Sequence, residues 1–265
     1  MAAEQSVKLD LPKKFVPKEI IAEITQSLEE QADDPEYKAG VSRSVPGASK
    51  TYGVRVPALR AMGKVLVRQY KSQPERLADL SVALWDQDSR EHRLIGLFIL
   101  AGLKKKLSPA KRWELGERFL PDIADWELCD QMSHALLGQA LAEDPGYMDE
   151  LERWIEDDNF WVRRVALVST ILLRRAKYDE PQASELDRRA LAMCAQLLND
   201  DEHYIRKAVD WTVREVIKRH EDLTFEWMLT QASTGLSPVG RSTLKLAAKK
   251  LPSKRQKEFL QVVGA

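Results

Sequence analysis

Trp126 and Asp130 are the two residues of this sequence whose types and spacing best suit a chemical reaction. They lie four residues apart in an apolar stretch, 123–141, which is predicted to form one helix, so both side chains are expected on the same helical face. A carboxylate in such a place can stabilise a positive charge that develops in a transition state. The alternative is that Asp130 is a solvated or capping acid without a chemical role.

Three other segments resemble the start of this helix. Each begins with Asp and carries an arginine five positions later: 88–93, 158–163 and 201–206. The segment that begins at Asp125 has an acid, Asp130, in place of that arginine. In helical repeats a recurring Asp and Arg usually tie neighbouring repeats together, so a repeat with Asp130 instead has given up that structural role.

The spacing of these segments predicts the fold class. The four segments begin at Asp88, Asp125, Asp158 and Asp201, so successive starts are separated by 37, 33 and 43 residues. A helical repeat of roughly 40 residues is typical of HEAT-like arrays, and no strand pattern persists anywhere in the sequence. We therefore predict an all-α fold, an α-solenoid of HEAT-like helix pairs. We expect a mobile N-terminal tail over 1–14 and a single HEAT-like repeat domain over 15–265, with an irregular connection over 33–53.

Composition narrows the class of protein. Apolar residues make up 44% of the 265 residues and charged residues 31%, which is typical of a soluble helical protein. No run approaches the roughly 18 apolar residues that a transmembrane helix requires, and the first residues lack the apolar core of a secretory signal. Cys129 and Cys194 lie in apolar helical patterns and are expected to be buried thiols, so we expect a cytoplasmic protein.

Charge is distributed unevenly along a chain whose formal net charge is zero. Residues 161–265 carry 19 Lys and Arg against 13 Asp and Glu, and the first 160 residues have the opposite excess. An excess of this kind can indicate a nucleic-acid-binding face in the second half of the chain. Solvated helix faces also drift in charge, so that second interpretation stays open.

Other kinds of chemistry find no support in the sequence. There is no Walker loop and no GxGxxG, and the four histidines lie in different repeats without metal-ligand spacing. We expect no cofactor and no metal. Four tryptophans occupy apolar helical positions and are predicted to lie in the core: Trp85, Trp113, Trp154 and Trp227. Trp126 and Trp211 instead neighbour charged residues, where they would form platforms for a sugar or a base, or else join the core.

Five segments, taken together in order and spacing, resemble the DNA alkylation repair glycosylases of the AlkD-like, HEAT-repeat type. The resemblance extends from about Tyr37 to Lys250. Its segments are GVRVPALR (53–60), ADWELCDQMSHALLG (124–138), DNFWVRRVALV (158–168), YIRKAVDWTVRE (204–215) and LSPVGRSTLK (236–245). The resemblance implies a right-handed α-solenoid of HEAT-like helix pairs with a concave basic surface.

The resemblance also implies a role for each matching residue. Asp130 is implied as the catalytic carboxylate, with Trp126 and Trp211 as the aromatic pair that holds the deoxyribose of the damaged nucleotide. Arg164 is implied as the basic residue that contacts the DNA backbone nearby. The other implied DNA contacts are Tyr37, near the lesion, and Lys207, Arg214, Arg241 and Lys245, at phosphates. Where the family commonly has a second aromatic residue after the first tryptophan, this chain has Glu127.

The function implied is that of a monofunctional DNA glycosylase, which acts in base excision repair without a metal or a base-flipping pocket. Its substrates would be cationic N3- and N7-alkylated purines, 3-methyladenine and 7-methylguanine, in duplex DNA. Because these bases carry a positive charge that weakens the glycosidic bond, they need little activation to leave. The expected partner is double-stranded DNA containing alkylated purines. The protein is expected to be a monomer that is nucleoid-associated when bound to DNA.

Two other classes of function remain open at this stage. One is a non-catalytic HEAT-repeat DNA-binding protein that recognises damaged or branched DNA. The other is a protein-interaction scaffold, which the zero net charge allows. DNA binding that weakens steeply with salt would count against the scaffold. An acid at position 130 counts against a pure DNA binder, because a phosphate-binding surface does not need one.

Overall fold

A computed structural model describes residues 9–32, 34–45, 47 and 50–264, and over these residues the chain is all-α, which confirms the predicted fold class. The one β interaction within them is an isolated bridge between Lys50 and Ser89. The chain forms two compact units, Met1–Leu137 and Gly138–Ala265. The prediction of one repeat domain over 15–265 stays a prediction.

Over its described residues, the first unit contains seven α-helices. They are α1 (Pro17–Glu30), α2 (Pro35–Ser44), α3 (Val56–Gln69), α4 (Pro74–Trp85), α5 (Arg90–Gly102), α6 (Pro109–Phe119) and α7 (Trp126–Met132). A π-helical segment, Ser133–Leu137, follows α7. Helix α5 lies at the centre of the unit, since α3, α4, α7 and the π-helical segment all pack against it. Its side chains are apolar on several faces, and Leu94, Ile95 and Ile99 are fully buried.

Over 138–264, the part of the second unit that the structure describes, there are eight α-helices. They are α8 (Gly138–Glu143), α9 (Met148–Trp154), α10 (Phe160–Thr170), α11 (Glu180–Leu197), α12 (His203–Arg219), α13 (Glu221–Ala232), α14 (Pro238–Ala248) and α15 (Ser253–Val263). Helices α10, α12 and α14 follow one another in one row, and α11, α13 and α15 form a second row. Alternate helices therefore share a layer, as in HEAT-like repeats.

Local sequence signals set where many of these helices begin. Ser89, Ser108 and Ser237 each accept a hydrogen bond from a backbone N–H in the first turn of α5, α6 and α14. Such caps satisfy donors that have no partner inside the helix. Proline stands in the first turn of α1, α2, α6 and α14, where its missing N–H is not needed.

Polar contacts between residues about one repeat apart confirm the predicted repeat spacing. Within the first unit, Trp85 donates to Asp122 and Arg90 to Glu127, each 37 residues away. Within the second unit, Arg163 pairs with Asp200 at 2.9 Å, again 37 residues away. Arg163 is the arginine of the motif 158–163, and Asp200 directly precedes the Asp that begins the next motif, so this arginine ties two neighbouring repeats together. In the motif of the first unit, the arginine instead pairs with the Asp of its own motif, since Arg93 lies 2.9 Å from Asp88.

The predicted N-terminal tail is only partly within the described residues, because 1–8 lie outside them. Over 9–14 the chain is held against the first unit. The Tyr70 hydroxyl donates to the carbonyl of Pro12 at 2.6 Å, and the backbone N–H of Asp10 donates to Glu23 at 2.7 Å. Phe15 is buried edge-on against Tyr70. These contacts fix the chain just before α1.

Burial confirms some of the predictions for individual side chains and limits others. Cys129 and Cys194 are buried thiols, as predicted, and burial raises the pKa of the Cys194 thiol to about 12. Trp85 and Trp113 are buried. Trp154 and Trp227 are half-buried, so the prediction of a core position is wrong for these two. Among the described residues, no helix has the length and apolar character needed to cross a membrane.

Candidate functional site

The first turn of α7 places the two residues that the sequence singles out. The Asp125 carboxylate accepts a hydrogen bond from the backbone N–H of Leu128 at 2.8 Å and so caps the helix. Trp126 is the first residue of α7 and Asp130 follows one turn later. Both residues lie in regular α-helix, so the predicted common face is present, and both side chains are half-buried.

The prediction of one uninterrupted α-helix over 123–141 is wrong. Helix α7 begins at Trp126, because Asp125 is in extended conformation as its cap. At Ser133 the α-helix gives way to the π-helical segment, which ends the first unit at Leu137. The His134 imidazole lies 2.8 Å from the carbonyl of Asp130. Short π-helical insertions are frequent at functional sites, and this one directly follows the turn that carries Asp130.

The Trp126 side chain is fixed by a contact that no local pattern indicates. Its indole Nε1 donates a hydrogen bond to the carbonyl of Ser44 at 2.7 Å. Ser44 is the last residue of α2, 82 residues earlier in the chain. The final carbonyl groups of a helix have no partner inside it, so the indole satisfies one of them. Helix α2 therefore takes part in orienting Trp126.

Glu127, the departure from the family pattern, is a buried partner of Arg90. The guanidinium donates from Nε at 2.7 Å and from Nη2 at 3.0 Å to the two carboxylate oxygens. Arg90 is 1% exposed and Glu127 8% exposed. Two parallel hydrogen bonds of this kind fix both side chains strongly. Glu127 thus joins the start of α7 to the start of α5, which gives this residue a structural role.

Arg90 also contacts the segment that precedes α3. Its Nη1 donates to Glu91 at 3.1 Å and to the carbonyl of Val54 at 3.3 Å. The Glu91 carboxylate accepts four further hydrogen bonds, from the backbone N–H groups of residues 52–54 and from the Thr51 hydroxyl, at 2.8–3.3 Å. Glu91 is fully buried. Its hydrogen bonds satisfy a charge that would otherwise be costly to bury.

Burial raises the pKa of the Asp125 carboxyl from 3.8 to about 6. Between pH 4 and 6, therefore, the Asp125 carboxyl keeps its proton in the folded protein but has lost it in the unfolded chain. Because the folded state binds more protons, the free energy of unfolding falls as pH rises through that range. Asp125→Asn keeps the capping oxygen and carries no charge. We expect this variant to exceed the unaltered protein in stability by about 2–3 kcal/mol at pH 7 and to match it near pH 4.

Denaturant unfolding of both proteins at pH 4, 5, 6 and 7 measures this difference. Only the difference is informative, because other groups titrate over the same range in both proteins. A difference that stays constant from pH 4 to 7 would contradict a raised pKa at Asp125.

Tyr37 lies near the start of α2, as the sequence predicts for a short helix there. Its backbone N–H donates to the capping Asp34 carboxylate at 2.8 Å. Arg55 pairs with Asp34 at 2.7 Å, and its guanidinium carbon lies 4.4 Å from the centre of the Tyr37 ring. Tyr37 therefore forms a cation–π contact with the residue that precedes α3. Its contact with DNA stays a prediction.

In the second unit, Arg164 is buried on α10. It is 4% exposed and donates from Nη1 to the carbonyl of Tyr204 at 2.6 Å. Its guanidinium carbon also lies 5.9 Å from the centre of the Tyr204 ring. Because Tyr204 is in the first turn of α12, this contact joins two neighbouring helices of one row. The implied contact of Arg164 with the DNA backbone stays a prediction.

Helix α12 carries Lys207, Trp211 and Arg214 at positions i, i+4 and i+7, so the three share one helical face. Lys207 and Arg214 are exposed and Trp211 is half-buried. Asp210 lies 3.6 Å from Arg214. Burial raises the pKa of the Asp210 carboxyl, and Arg214 counters part of that rise. This face of α12 presents the Trp211 indole between two cationic side chains, Lys207 on one side and Arg214 on the other.

Arg241 and Lys245 stand one turn apart on α14, the next helix of the same row. Arg241 is exposed and donates to the carbonyl of Leu236 at 3.2 Å, while Lys245 is half-buried. Arg206 of α12 reaches Ser242 of α14 at 3.4 Å. The predicted phosphate contacts of the second unit therefore lie on two adjacent helices, α12 and α14.

Each unit brings together some of the site residues that the sequence predicts. The first unit joins Trp126 and Asp130 on α7 and links Trp126 to α2, the helix of Tyr37. The sequence did not single out Ser44, Arg90 or Glu91 as parts of this region. Arg90 and Glu127 carried a usable signal, since they are opposite charges one repeat apart. Ser44 carried none, because a backbone carbonyl leaves no trace in residue type. The described residues contain no cluster of side chains suited to holding a metal ion.

Comparison with solved structures defines the class of fold. A protein described as a predicted DNA alkylation repair enzyme from Enterococcus faecalis is 20% identical, with a TM-score of 0.65, and the match covers 80% of this chain and 94% of that one. AlkD2 from Streptococcus mutans is 17% identical, with a TM-score of 0.57, over 87% and 98% of the two chains. At these identities the likeness establishes the fold, a helical-repeat protein of the AlkD-like kind.

The family follows from the sequence itself. Residues 24–251 match the family of DNA alkylation repair enzymes. This match covers most of the chain, and the protein therefore belongs to that family, as the sequence motifs predict. Membership implies DNA as the partner. No curated protein matches the chain.

Proposed function

We propose that the protein is a monofunctional DNA glycosylase that excises cationic N3- and N7-alkylated purines, 3-methyladenine and 7-methylguanine, from duplex DNA. One observation carries the proposal: within a member of the DNA alkylation repair family, α7 presents Asp130 and Trp126 on one helical face. A structural acid would not need to replace the arginine that the other repeats carry at the same place. The finer activity is an inference from these residues together with the family.

The chemistry that we propose breaks the bond between C1′ of the deoxyribose and N9 of the purine. The bonding electrons go to the base, whose positive charge is thereby neutralised, so the base leaves without protonation. The sugar becomes an oxocarbenium-like cation, which the Asp130 carboxylate stabilises electrostatically. Water then adds to C1′, and Asp130 positions it and accepts its proton. The products are the free alkylpurine and an abasic site.

The aromatic and basic residues would hold the DNA rather than react. Indole rings are suitable surfaces for a cationic sugar, and we propose this role for Trp126 and Trp211. Lys207, Arg214, Arg241 and Lys245 would bind phosphates, with Tyr37 near the lesion. Phosphate contacts fix the duplex without reading its sequence, which suits an enzyme that must act at any damaged purine. For Arg164 we propose the contact with the DNA backbone that the family resemblance implies, and its hydrogen bond to the carbonyl of Tyr204 would in addition support α12.

Removal of two phosphate contacts is expected to change the salt dependence of DNA binding. In Lys207→Ala/Lys245→Ala, the slope of log affinity against log salt should become shallower by about 2, because each lost contact releases about one fewer counterion. Arg188 on α11 offers a control, since it is exposed and lies in the other helical row. Fluorescence anisotropy with a labelled duplex over a salt series measures both. Equal slopes in the double variant and in Arg188→Ala would contradict the assignment.

The experiment that tests the proposed function is the release of 3-methyladenine and 7-methylguanine from methylated duplex DNA, quantified by chromatography of the freed bases. The matched substrate is DNA in which the deoxyribose that bears 7-methylguanine carries fluorine at C2′, a substitution that destabilises the oxocarbenium-like sugar and so slows cleavage of the glycosidic bond. We expect release from the first substrate and tight binding without release on the second. Absence of release from methylated DNA would refute the glycosylase proposal.

A non-catalytic DNA-binding protein is the second candidate, and the exposed cations of α12 and α14 favour it over a protein-interaction scaffold. It predicts salt-dependent binding to damaged or branched DNA without base release. We further propose that 15–265 acts as one repeat domain and that the protein is a cytoplasmic monomer. Sedimentation at several protein concentrations tests the monomer.

A further inference from the structure

Between α2 and α3, the residues that the structure describes are tightly fitted beside the candidate site. We use the name strap for the described residues 45, 47 and 50–55, which follow Ser44, the last residue of α2. Helix α2 itself is largely exposed, and Val41 is its one buried side chain. With so little apolar surface to fix it, α2 depends on the contacts of the strap for its position.

Gly47 is the first of two glycines that the strap requires. Its φ is 89°, a conformation that side chains rarely adopt. A Cβ atom at this position would overlap the carbonyl oxygen of Ala124. Ala124 immediately precedes Asp125, the cap of α7. The strap backbone therefore lies directly against the chain that leads into Trp126, and only glycine permits this approach.

Gly53 fixes the other end of the strap. Its φ is 90°, and a Cβ there would lie 2.7 Å from the Cβ of Lys38 on α2. At the same end of the strap, the Glu91 carboxylate of α5 accepts hydrogen bonds from the backbone N–H groups of Tyr52, Gly53 and Val54 at 3.0–3.3 Å. Arg90 joins this carboxylate to Glu127 on α7. The strap is thus anchored to α2, α5 and α7 at once.

We propose that the strap is a positioning element for Trp126: it holds the C-terminal end of α2 so that the Ser44 carbonyl orients the indole through its 2.7 Å hydrogen bond. Gly47 and Ser44 are positioning residues, and they touch neither the sugar nor the base. The consequence for the reaction is that the Trp126 ring is preorganised to support the deoxyribose. This inference rests on the proposed excision activity.

Four variants test the strap. Gly47→Ala moves the strap away from α7, and Trp126→Phe keeps an aromatic ring and removes the indole donor. The double variant combines the two changes. Gly235→Ala is the matched control, because Gly235 has a φ of 76° with nothing within 4 Å of a Cβ, so it has the backbone strain without the collision.

Two measurements are made on each variant. The first is the rate of 7-methylguanine release from duplex DNA under single-turnover conditions. The second is the nuclear magnetic resonance signal of the Trp126 indole N–H, identified as the signal that Trp126→Phe lacks. We expect Gly47→Ala and Trp126→Phe each to slow release about tenfold, with Gly235→Ala unchanged. Because both changes act through one hydrogen bond, the double variant should be no slower than the slower single variant.

Multiplicative losses in the double variant would overturn the proposal, and so would an unmoved Trp126 signal in Gly47→Ala. Should the unaltered protein release no base, the excision activity fails, and the strap is judged by the indole signal alone. In that case we add duplex DNA with a tetrahydrofuran residue as an abasic-site analogue. A Trp126 signal that responds to this DNA in the unaltered protein and not in Gly47→Ala supports positioning. An equal response in both overturns it.

Discussion

Asp130→Asn is expected to reduce 7-methylguanine release by at least about 10²–10³-fold, the loss typical when one electrostatic stabiliser of a transition state is removed. Asparagine has nearly the same shape as aspartate, so the fold of α7 should not change. It has no charge to stabilise the oxocarbenium-like sugar and cannot accept a proton from water. DNA binding should be kept or strengthened, because a negative charge near the phosphates is lost.

Single-turnover release and duplex affinity, measured at the same salt concentration, separate these two effects. Asp86→Asn is a matched control, since Asp86 is an exposed acid of the first unit whose partner is the exposed Arg118. The control should keep the excision rate. Unchanged release in Asp130→Asn would remove Asp130 from the mechanism. Weaker DNA binding in that variant would instead indicate that the acid helps to shape the binding surface.

Arg90→Ala is expected to produce the largest loss of stability, about 3–5 kcal/mol, because it leaves Glu127 and Glu91 buried without their cation. Both carboxylates are at most 8% exposed. Water cannot replace the guanidinium without opening the contact between α5, α7 and the strap. For a chain of this length the melting temperature should fall by roughly 6–20 °C.

Chemical denaturation of two further variants checks the origin of this loss. Arg118→Ala removes an exposed arginine from a pair 3.1 Å apart and should cost less than about 1 kcal/mol. Arg90→Met/Glu127→Leu removes two of the three buried charges and leaves Glu91 with its backbone hydrogen bonds, so it should recover part of the stability that Arg90→Ala loses. An equal cost for Arg90→Ala and Arg118→Ala would show that burial does not set the value of the Arg90 network.

The sequence alone determined the features that depend on neighbouring residues. Capping residues and prolines predict the starts of several helices, and the four-residue spacing predicts the shared face of Trp126 and Asp130. The spacing of the Asp–Arg motifs predicts the repeat, and the apolar pattern predicts the burial of both cysteines. These features follow from sequence because a helical turn and a repeat relate residues at fixed, short separations.

Only the tertiary structure decided what each polar residue contacts. Glu127 stood in the sequence as a departure from a family pattern, and in the fold it is the buried partner of Arg90. Arg164 stood as a DNA contact, and in the fold it is buried against Tyr204. Charge and spacing do not distinguish an arginine that binds phosphate from one that joins two helices. The structure shows that Arg164 joins two helices, a contact that depends on all the surrounding chain, and its contact with DNA stays a prediction.

The position of Trp126 shows the same limit most clearly. Its place on α7 follows from the sequence, but its orientation depends on a carbonyl 82 residues away and on a glycine that fits against Ala124. A backbone carbonyl is present at every residue, so residue type cannot indicate which one accepts the indole. The sequence therefore determined which side chains this protein presents for chemistry, and the packing of α2 and the strap against α7 decided how one of them is held.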